Sequence, residues 1–568
     1  MIVLGLNHGE LQSSAAICRD GKIIAGAAEE RFNRLKRYKD FPKQAVDFCL
    51  KFAGKELKAC DYIAQAWNPG ASWQKYNPLL SKSRIKREDN FYAIPDNLLN
   101  LTERKPLDWV LMEFPGGWSL PSVYHVQHHR AHAAAAFFLS PFEEAAILTC
   151  DWRGEYETTT LGNGRGNKID MFSAQSMPDS LGAFYGAYTE LLGYRADNDE
   201  WKVMALSAFD VNCKKFMKKI RSTVRFLDDG KFELDQAYYK GALLDQPKLY
   251  TDRLVSLLGG REGSSDRAPE EWDLCVARAM QLVFEEITTH ILKYLHERTK
   301  QSNLVLGGGS FMNCVYNGKI VDQTPFKKVF INYAPADLGN SLGAALYVSH
   351  CLLNEKRDLS FSSSYLGPSF TDAQVEAALI RRKVRYEKHD RIERKIAELL
   401  SQGGIVAVFN GRMEFGERAL GNRSILADPR DGKMKDRINA MIKYRENYRP
   451  FAPVVDAKKA HVYFDVAKGY ESNYMEKVAL VRKAYRDKFP AITHVDGSAR
   501  VQTVTEQINP FLHGVVSEFE KKTACPAVLN TSLNINGEPI ALSPDDALNT
   551  FYNSGLEYLA AGSFLVTK

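Results

Sequence analysis

One arrangement of segments occurs twice in this chain, and few folds accommodate it. Residues 2–7 (IVLGLN) form an apolar run that ends in a polar turn. Residues 14–29 (SAAICRDGKIIAGAAE) then read as two strands joined at Asp20-Gly21, a pair suited to the positive φ values of a two-residue hairpin turn. A helix is predicted near Pro42 to Phe52. The same order begins again after Ala145: a buried strand (AAILTC) runs up to Asp151, followed by strands from Glu157 to Leu161 and from Asn167 to Phe172. A chain of 568 residues has room for two such halves and more.

Two layouts of this kind suggest the duplicated actin/hexokinase-type α/β architecture. Between them lies residues 126–132, VQHHRAH. His128 and His132 are four apart, so a helix projects both imidazoles from one face. Asp151, at a strand end beside Gly154, supplies a carboxylate. Asp337, in residues 334–340 (APADLGN), follows another apolar strand in the same way. Imidazole nitrogens and strand-end carboxylates suit a borderline divalent metal such as iron or zinc, with positions left open for substrate. His125 and His129 lack that helical partner and are read as structural.

A long amphipathic helix is predicted from about Glu270 to Thr299, leading into the strand and triple-glycine turn of residues 303–310 (NLVLGGGS). Gly307 and Gly308 would let a nucleotide approach the backbone, and Asn313 falls at the next helix start. A boundary is expected near residues 355–370, where RDLSFSSSYLGP (357–368) reads as a linker. The expected division is 1–355, a linker at 356–370, and 371–568. In the last part, Arg412, Arg418, Arg423, Lys443, Arg445 and Arg449 are interleaved with Phe415, Leu420, Ile425, Tyr448 and Phe451, which suggests a partly enclosed cationic groove. With Arg500 and residues 527–534 (AVLNTSLN), this half is read as binding a multi-phosphate ligand.

Composition narrows the classes. A net charge of +6 is too mild to indicate nucleic acid, and the aromatics show no repeating stacking pattern. The longest apolar run is roughly half a membrane span, so no membrane insertion is expected. Nine scattered cysteines, never in a Cys-x-x-Cys pair, predict a reducing cytoplasm without a disulfide framework. The chain opens on a strand without the pattern of a signal peptide.

Taken together, AEERFNR (28–34), HHRAH (128–132), SLGAFY (180–185), EWKVMAL (200–206), GGGSFMN (307–313), PADLG (335–339), GERALGNRSILA (416–427), KYRENYRPFAP (443–453) and NTS (530–532) resemble the bacterial O-carbamoyltransferases of nodulation-factor and antibiotic tailoring. These are related to the hydrogenase-maturation carbamoyltransferase. The resemblance implies an actin/hexokinase-like N-terminal domain and an α+β C-terminal domain similar to the YrdC carbamoyladenylate-forming fold. It implies that the C-terminal site makes carbamoyl-AMP from carbamoyl phosphate and ATP, with Mg(II) accompanying the nucleotide. The carbamoyl group then passes to a hydroxyl of a small molecule, sugar or glycan at the metal site. By the same resemblance His128, His132, Asp151 and Asp337 would hold Fe(II). Lys443, Arg449, Arg500 and Ser532 would hold the phosphates, with Arg418 and Asn530 as further candidates. A homodimer is compatible with the sequence.

One departure stands out. The family carries His-Asp-x-Ser-Ala-Ala in its first turn, and its His is a proposed base for the acceptor hydroxyl. Residues 11–16 here are LQSSAA, and His8 lies three residues upstream as the alternative base. Two other readings remain open: an actin/hexokinase-type sugar kinase, and a degenerate relative that senses nucleotide or glycan. Lys202 and Glu200 are read either as nucleotide contacts or as a structural ion pair.

Overall fold

The computed structural model describes residues 1–9, 12–68, 108–113, 120–240, 248–360 and 363–568. Two units separate by their internal contacts: Met1–Gly26 with Lys39–Ser362, and Ala27–Tyr38 with Ser363–Lys568.

The first unit contains the duplication. Its first sheet consists of β1 (Ile2–Asn7), β2 (Ser14–Arg19), β3 (Lys22–Ala28), β4 (Tyr62–Gln65), β5 (Trp109–Met112) and β6 (Ser122–Val126), in the order β3-β2-β1-β4-β6-β5. β1 runs antiparallel to β2 and parallel to β4, and β4 runs parallel to β6. Asp20 and Gly21 both have positive φ (50° and 76°), the mirror-image turn that matches strand twist. The second sheet uses β7 (Glu144–Cys150), β8 (Glu157–Arg165) and β9 (Lys168–Ser176). A small hairpin follows, β10 (Val224–Phe226) with β11 (Phe232–Leu234), before β12 (Asn303–Gly307) and β13 (Lys328–Ile331) return to that sheet. Its order is β13-β12-β7-β8-β9, with β7 antiparallel to β8 and parallel to β12, and β12 parallel to β13. Hairpin, first strand and two parallel strands therefore recur in the same order. This is the duplicated actin/hexokinase-like topology expected from the sequence.

Helices Lys43–Ala53 and Glu271–Thr299 lie where the sequence predicts them, the longer one opened by a capping box between Glu270 and Asp273. Each half ends in a helix, His128–Phe138 and Asn340–Leu346, and these two pack on each other. Small residues allow the approach. Ala131 and Ala133–Ala136 are buried, and a Cβ at Gly343 would stand 1.9 Å from the Ala131 carbonyl oxygen. The backbone bearing the two histidines is thereby set by contact rather than by long side chains.

In the second unit, β14 (Tyr386–Lys388), β15 (Val406–Phe409), β16 (Arg423–Ala427), β17 (Ala452–Asp456), β18 (Lys477–Leu480), β19 (Ser498–Val504), β20 (Ala527–Ser532), β21 (Tyr558–Ala561) and β22 (Phe564–Thr567) form a mixed sheet in the order β14-β22-β21-β15-β16-β20-β17-β19-β18. Helix Pro510–Thr523, capped by the Asn509 side chain, packs on helix Ile392–Ser401, and Phe409, Phe451, Phe519 and Phe551 are buried in the core.

Two details differ from the sequence reading. The expected linker at 356–370 is fastened at both ends. Arg357 donates to the Phe142 carbonyl (2.7 Å) and lies over the Phe137 ring. Tyr365 donates to the Leu420 carbonyl (3.0 Å), and Leu366 is buried. The second difference is Ala27–Tyr38, placed by the sequence reading in the first domain, whose contacts belong to the second unit. Arg31 donates to the Gly416 carbonyl (3.0 Å), and Arg34 donates to those of Ile540 and Pro539 (2.7 Å each). Phe32 packs on Met413, Ala419, Ile540 and Leu542. Partners so remote in sequence leave no local signal.

Candidate functional site

The first unit brings four predicted ligands together. His128 and His132 occupy successive turns of one helix, Asp151 follows β7, and Asp337 opens the short turn before Asn340–Leu346. One ligand atom from each lies within 4.8 Å of all the others, and all four residues are buried. The two Nε2 atoms are 3.0 Å apart. His132 Nε2 is 2.9 Å from Asp151 Oδ2 and 3.4 Å from Asp337 Oδ1; the corresponding His128 distances are 3.9 and 3.4 Å. Ligands held about 2.1 Å from one ion are about 3.0 Å apart as octahedral neighbours and about 3.4 Å apart in a tetrahedron. The donor set and its spacing fit a divalent cation.

Electrostatics agree with the geometry. Burial disfavours the charged His128 ring, but Asp337 and Asp151 outweigh it and raise the group to about 9. Burial pushes Asp151 up, and the two histidines more than reverse this, holding it well below the carboxylate range. Two carboxylates facing two imidazoles therefore favour positive charge at their centre, supplied by protons or by a cation.

Neighbours the sequence reading did not name hold the cluster. The Gly309 N–H donates to Asp151 Oδ2 (3.0 Å), and the His128 main-chain N–H donates to both oxygens of buried Glu155 (2.9 and 3.1 Å). The Asn340 amide nitrogen is 3.2 Å from His132 Nε2 and 3.5 Å from His128 Nδ1. Glu155 belongs to no recognisable motif, and Asn340, though it closes the stretch that carries Asp337, gives no sign of its partners, so only the fold reveals their roles. His129 has a structural role, as expected: Nε2 donates to the Glu157 carbonyl (3.0 Å), and Nδ1 lies 2.7 Å from the Thr149 hydroxyl.

The other predicted residues of this unit have the following neighbours. A Cβ at Gly307 would stand 2.8 Å from the His132 carbonyl oxygen. One at Gly308, whose φ is 100°, would stand 2.2 Å from that of Cys150. Packing beside the metal-ligand candidates requires glycine at both positions. The Asn313 side chain accepts from the Tyr316 N–H and exchanges two amide hydrogen bonds with Gln281. Lys202 pairs with Asp199 (3.4 Å) and lies against the Tyr194 and Trp201 rings. His8 stands just beyond β1 with its ring edge-on to Phe41, 5.5 Å between centroids. Burial lowers its pKa, which favours the neutral imidazole. Of the departing first turn, Leu11 lies outside the described residues.

The second unit gathers the cations. Lys443 ends a helical turn and is buried, its Nζ donating to the Ser532 carbonyl (2.5 Å) and to the Asn534 carbonyl and Oδ1 (2.9 Å each). Burial, then Arg445, Arg449 and Lys36, push its pKa well down. Arg445 bonds Asn439 Oδ1 (2.9 Å) and lies 4.3 Å from the Phe451 ring centre, while burial, Arg449 and Arg500 oppose its charge. Its Nη2 is buried without a partner among the described residues. A guanidinium keeps its proton, so this crowding calls for an anion. Arg449 touches Glu446 at 3.5 Å.

Several candidates fall outside this group. Arg423 is fully buried, donating to the Asn410 and Asn422 carbonyls with its guanidinium 3.8 Å from the Phe409 ring centre. Arg412 donates to the Gly367 and Leu366 carbonyls. Both serve the scaffold, not a groove. Asn530 is buried and donates to Gln502 Oε1 (2.7 Å). Arg418 sits beside Glu417, whose two carboxylate oxygens are buried and, among the described residues, have no hydrogen-bond partner in another residue. Burial raises that carboxyl to about 7. The sequence reading gave Arg445 and Asn534 no separate role; Lys443-x-Arg445 and Ser532-x-Asn534, each with a spacing of two, were the available signal.

The family profile described as Carbamoyltransferase N-terminus matches residues 3–346, and that described as Carbamoyltransferase C-terminus matches 397–568. The chain belongs to the carbamoyltransferase family, and it is a carbamoyltransferase enzyme. It is 35% identical to nodulation protein NolNO of Sinorhizobium fredii over 98% of this chain and 78% of that protein. Against the 3'-hydroxymethylcephem-O-carbamoyltransferase of Amycolatopsis lactamdurans it is 28% identical, over 77% of this chain and 79% of the other. A crystal structure of full-length HypF in the phosphate- and nucleotide-bound form aligns with 62% of this chain and 55% of its own at 13% identity and a TM-score of 0.31. The fold assignment rests on strand order, not on that last likeness. No helix among the described residues is long and apolar enough to cross a membrane.

Proposed function

We propose that the chain is an ATP-dependent O-carbamoyltransferase with two chemical centres. In the second unit, Lys443, Arg445, Arg449, Arg500, Ser532 and Asn534 bind carbamoyl phosphate and ATP, the nucleotide accompanied by Mg(II). Carbamoyl phosphate loses its phosphate with consumption of one water, and a carbamate oxygen attacks the α-phosphorus of ATP. The products are carbamoyl-AMP, phosphate and pyrophosphate. Converging cations offset the repulsion between these anions and the charge that develops on phosphoryl oxygens. The YrdC-like character of this unit is part of the same reading.

In the first unit, an acceptor hydroxyl attacks the carbamoyl carbon. The new O–C bond replaces the bond to phosphate oxygen, and AMP leaves. His128, His132, Asp151 and Asp337 would hold a divalent cation, Fe(II) by resemblance, which supplies Lewis acidity toward the carbamoyl group when bound. The Gly309 N–H keeps Asp151 in place. His8, neutral through burial, takes the hydroxyl proton. The acceptor is a small molecule, sugar or glycan, in line with a relative whose name specifies a hydroxymethyl acceptor.

The observation that carries this reading is the pairing of a His/Asp cluster in one unit with a crowded cationic cluster in the other, within this family. Incubation with ATP, Mg(II), Fe(II) and carbamoyl phosphate tests it. Pyrophosphate release that requires carbamoyl phosphate is expected; ADP formation with a sugar, or no turnover, would contradict it.

A further inference from the structure

The first unit carries a cavity of about 190 Å³ that shares no residue with the His/Asp cluster. His129 and Arg130 of helix His128–Phe138 line it, with Glu157 and Thr160 of β8 and residues 171–174 of β9. Both register shifts of the β8–β9 ladder fall here, one between Glu157 and Thr159, the other between Leu161 and Gly162. Strict alternation would turn Glu157 and Thr160 to opposite faces; the first bulge lets both meet one cavity. The hydrogen bonds behind the wall leave acceptors in front of it. His129 Nε2 donates to the Glu157 carbonyl (3.0 Å), so in the neutral ring Nδ1 accepts from the Thr149 hydroxyl (2.7 Å). Thr149 in turn accepts from the Thr160 hydroxyl (2.5 Å), and the Thr160 oxygen keeps only lone pairs to offer. Among the described residues the Ser173 hydroxyl has no hydrogen bond, and the Glu157 carboxylate has neither hydrogen bond nor ion pair. Arg130 makes its ion pair with Asp108 instead (2.8 Å). Burial raises the Glu157 carboxyl to about 7 against the opposing pull of Arg130, and Glu155 and Asp108 add to the rise. A half-buried carboxylate without a counter-charge, beside two hydroxyl oxygens, fits a cationic donor.

We propose that this cavity is a binding site for the protonated primary amine of a small molecule. An ammonium group carries three N–H donors, and Glu157, Thr160 and Ser173 offer three acceptor oxygens. The apolar part of the ligand rests against Met171 and Phe172, which complete the wall. Because none of these residues belongs to the His/Asp cluster, the site stands independently of the carbamoyl chemistry proposed for it.

Calorimetric titration of the full-length protein in an amine-free buffer decides it, with ethanolamine and n-butylamine as probes and ethylene glycol and n-butanol as their neutral counterparts. The expected result is saturable binding of at least one amine and none of its alcohol. Glu157→Gln, which keeps the shape and removes the charge, should weaken that amine by about tenfold or more. Ala174 is exposed and pairs with Thr160 across the ladder, so Ala174→Leu fills the cavity from its rim. It should abolish the same binding with the unfolding temperature unchanged, and it decides the matter alone if Glu157→Gln does not fold. Wild-type affinity in either folded variant would overturn the proposal. So would an alcohol that binds as tightly as its amine, or a wild-type protein that binds neither amine.

Discussion

Glu417 is a carboxyl whose oxygens are shut away from solvent and, among the described residues, meet no hydrogen-bond donor from another residue, and this has a sign that can be measured. Its pKa rises from 4.5 in the free side chain to about 7 in the fold. Below pH 4.5 the group is protonated in both states and costs nothing. Between 4.5 and 7 only the unfolded chain ionises, so the native state loses ground as pH rises, and above 7 the penalty is constant. Glu417→Gln should therefore gain unfolding temperature relative to the parent as pH climbs through that window. A difference that does not change with pH would mean the carboxylate is solvated. At the other centre, His132→Ala removes the ligand atom that approaches both carboxylates. It should lose stoichiometric Fe(II) or Co(II), read by metal analysis and by the Co(II) visible spectrum; full metal content would deny His132 its place. The four ligand candidates were legible in the sequence because a four-residue helical spacing and strand-end aspartates are local signals. The roles of Glu155 and Asn340 were not, since each matters only through partners that the fold brings near.

At the level of elements, the close crossing of His128–Phe138 and Asn340–Leu346 is the most demanding contact in the first unit. Gly343→Ala sets a methyl 1.9 Å from the Ala131 carbonyl oxygen, which no rotamer relieves. The helices must separate, at a cost of about 3 kcal/mol in urea unfolding, and metal affinity should fall with stability because Ala131 adjoins His132. A variant as stable as the parent would show that the crossing has slack. The paired hairpins were readable from apolar runs separated by turns, Asp20-Gly21 among them. The allegiance of Ala27–Tyr38 was not, because its carbonyl partners lie 385 to 506 residues away. A run of arginines was equally ambiguous: Arg412 and Arg423 bind main-chain carbonyls, whereas Arg445 meets other cations.

Across the whole molecule the labour is divided under the proposed function. Activation of the carbamoyl unit depends on the cations of the second unit, and delivery depends on the His/Asp cluster of the first. Each centre has its own product, pyrophosphate for one and AMP for the other, so they can be followed separately in one preparation. Lys443→Met removes the ammonium that binds Ser532 and Asn534, and His132→Ala disables the other cluster. The most direct test measures both variants for pyrophosphate release from ATP with carbamoyl phosphate, and for AMP release from supplied carbamoyl-AMP with a panel of hydroxyl acceptors. The expected result is reciprocal: Lys443→Met releases AMP but no pyrophosphate, and His132→Ala releases pyrophosphate but no AMP. Loss of both products on either single substitution, with the fold intact, would contradict two centres.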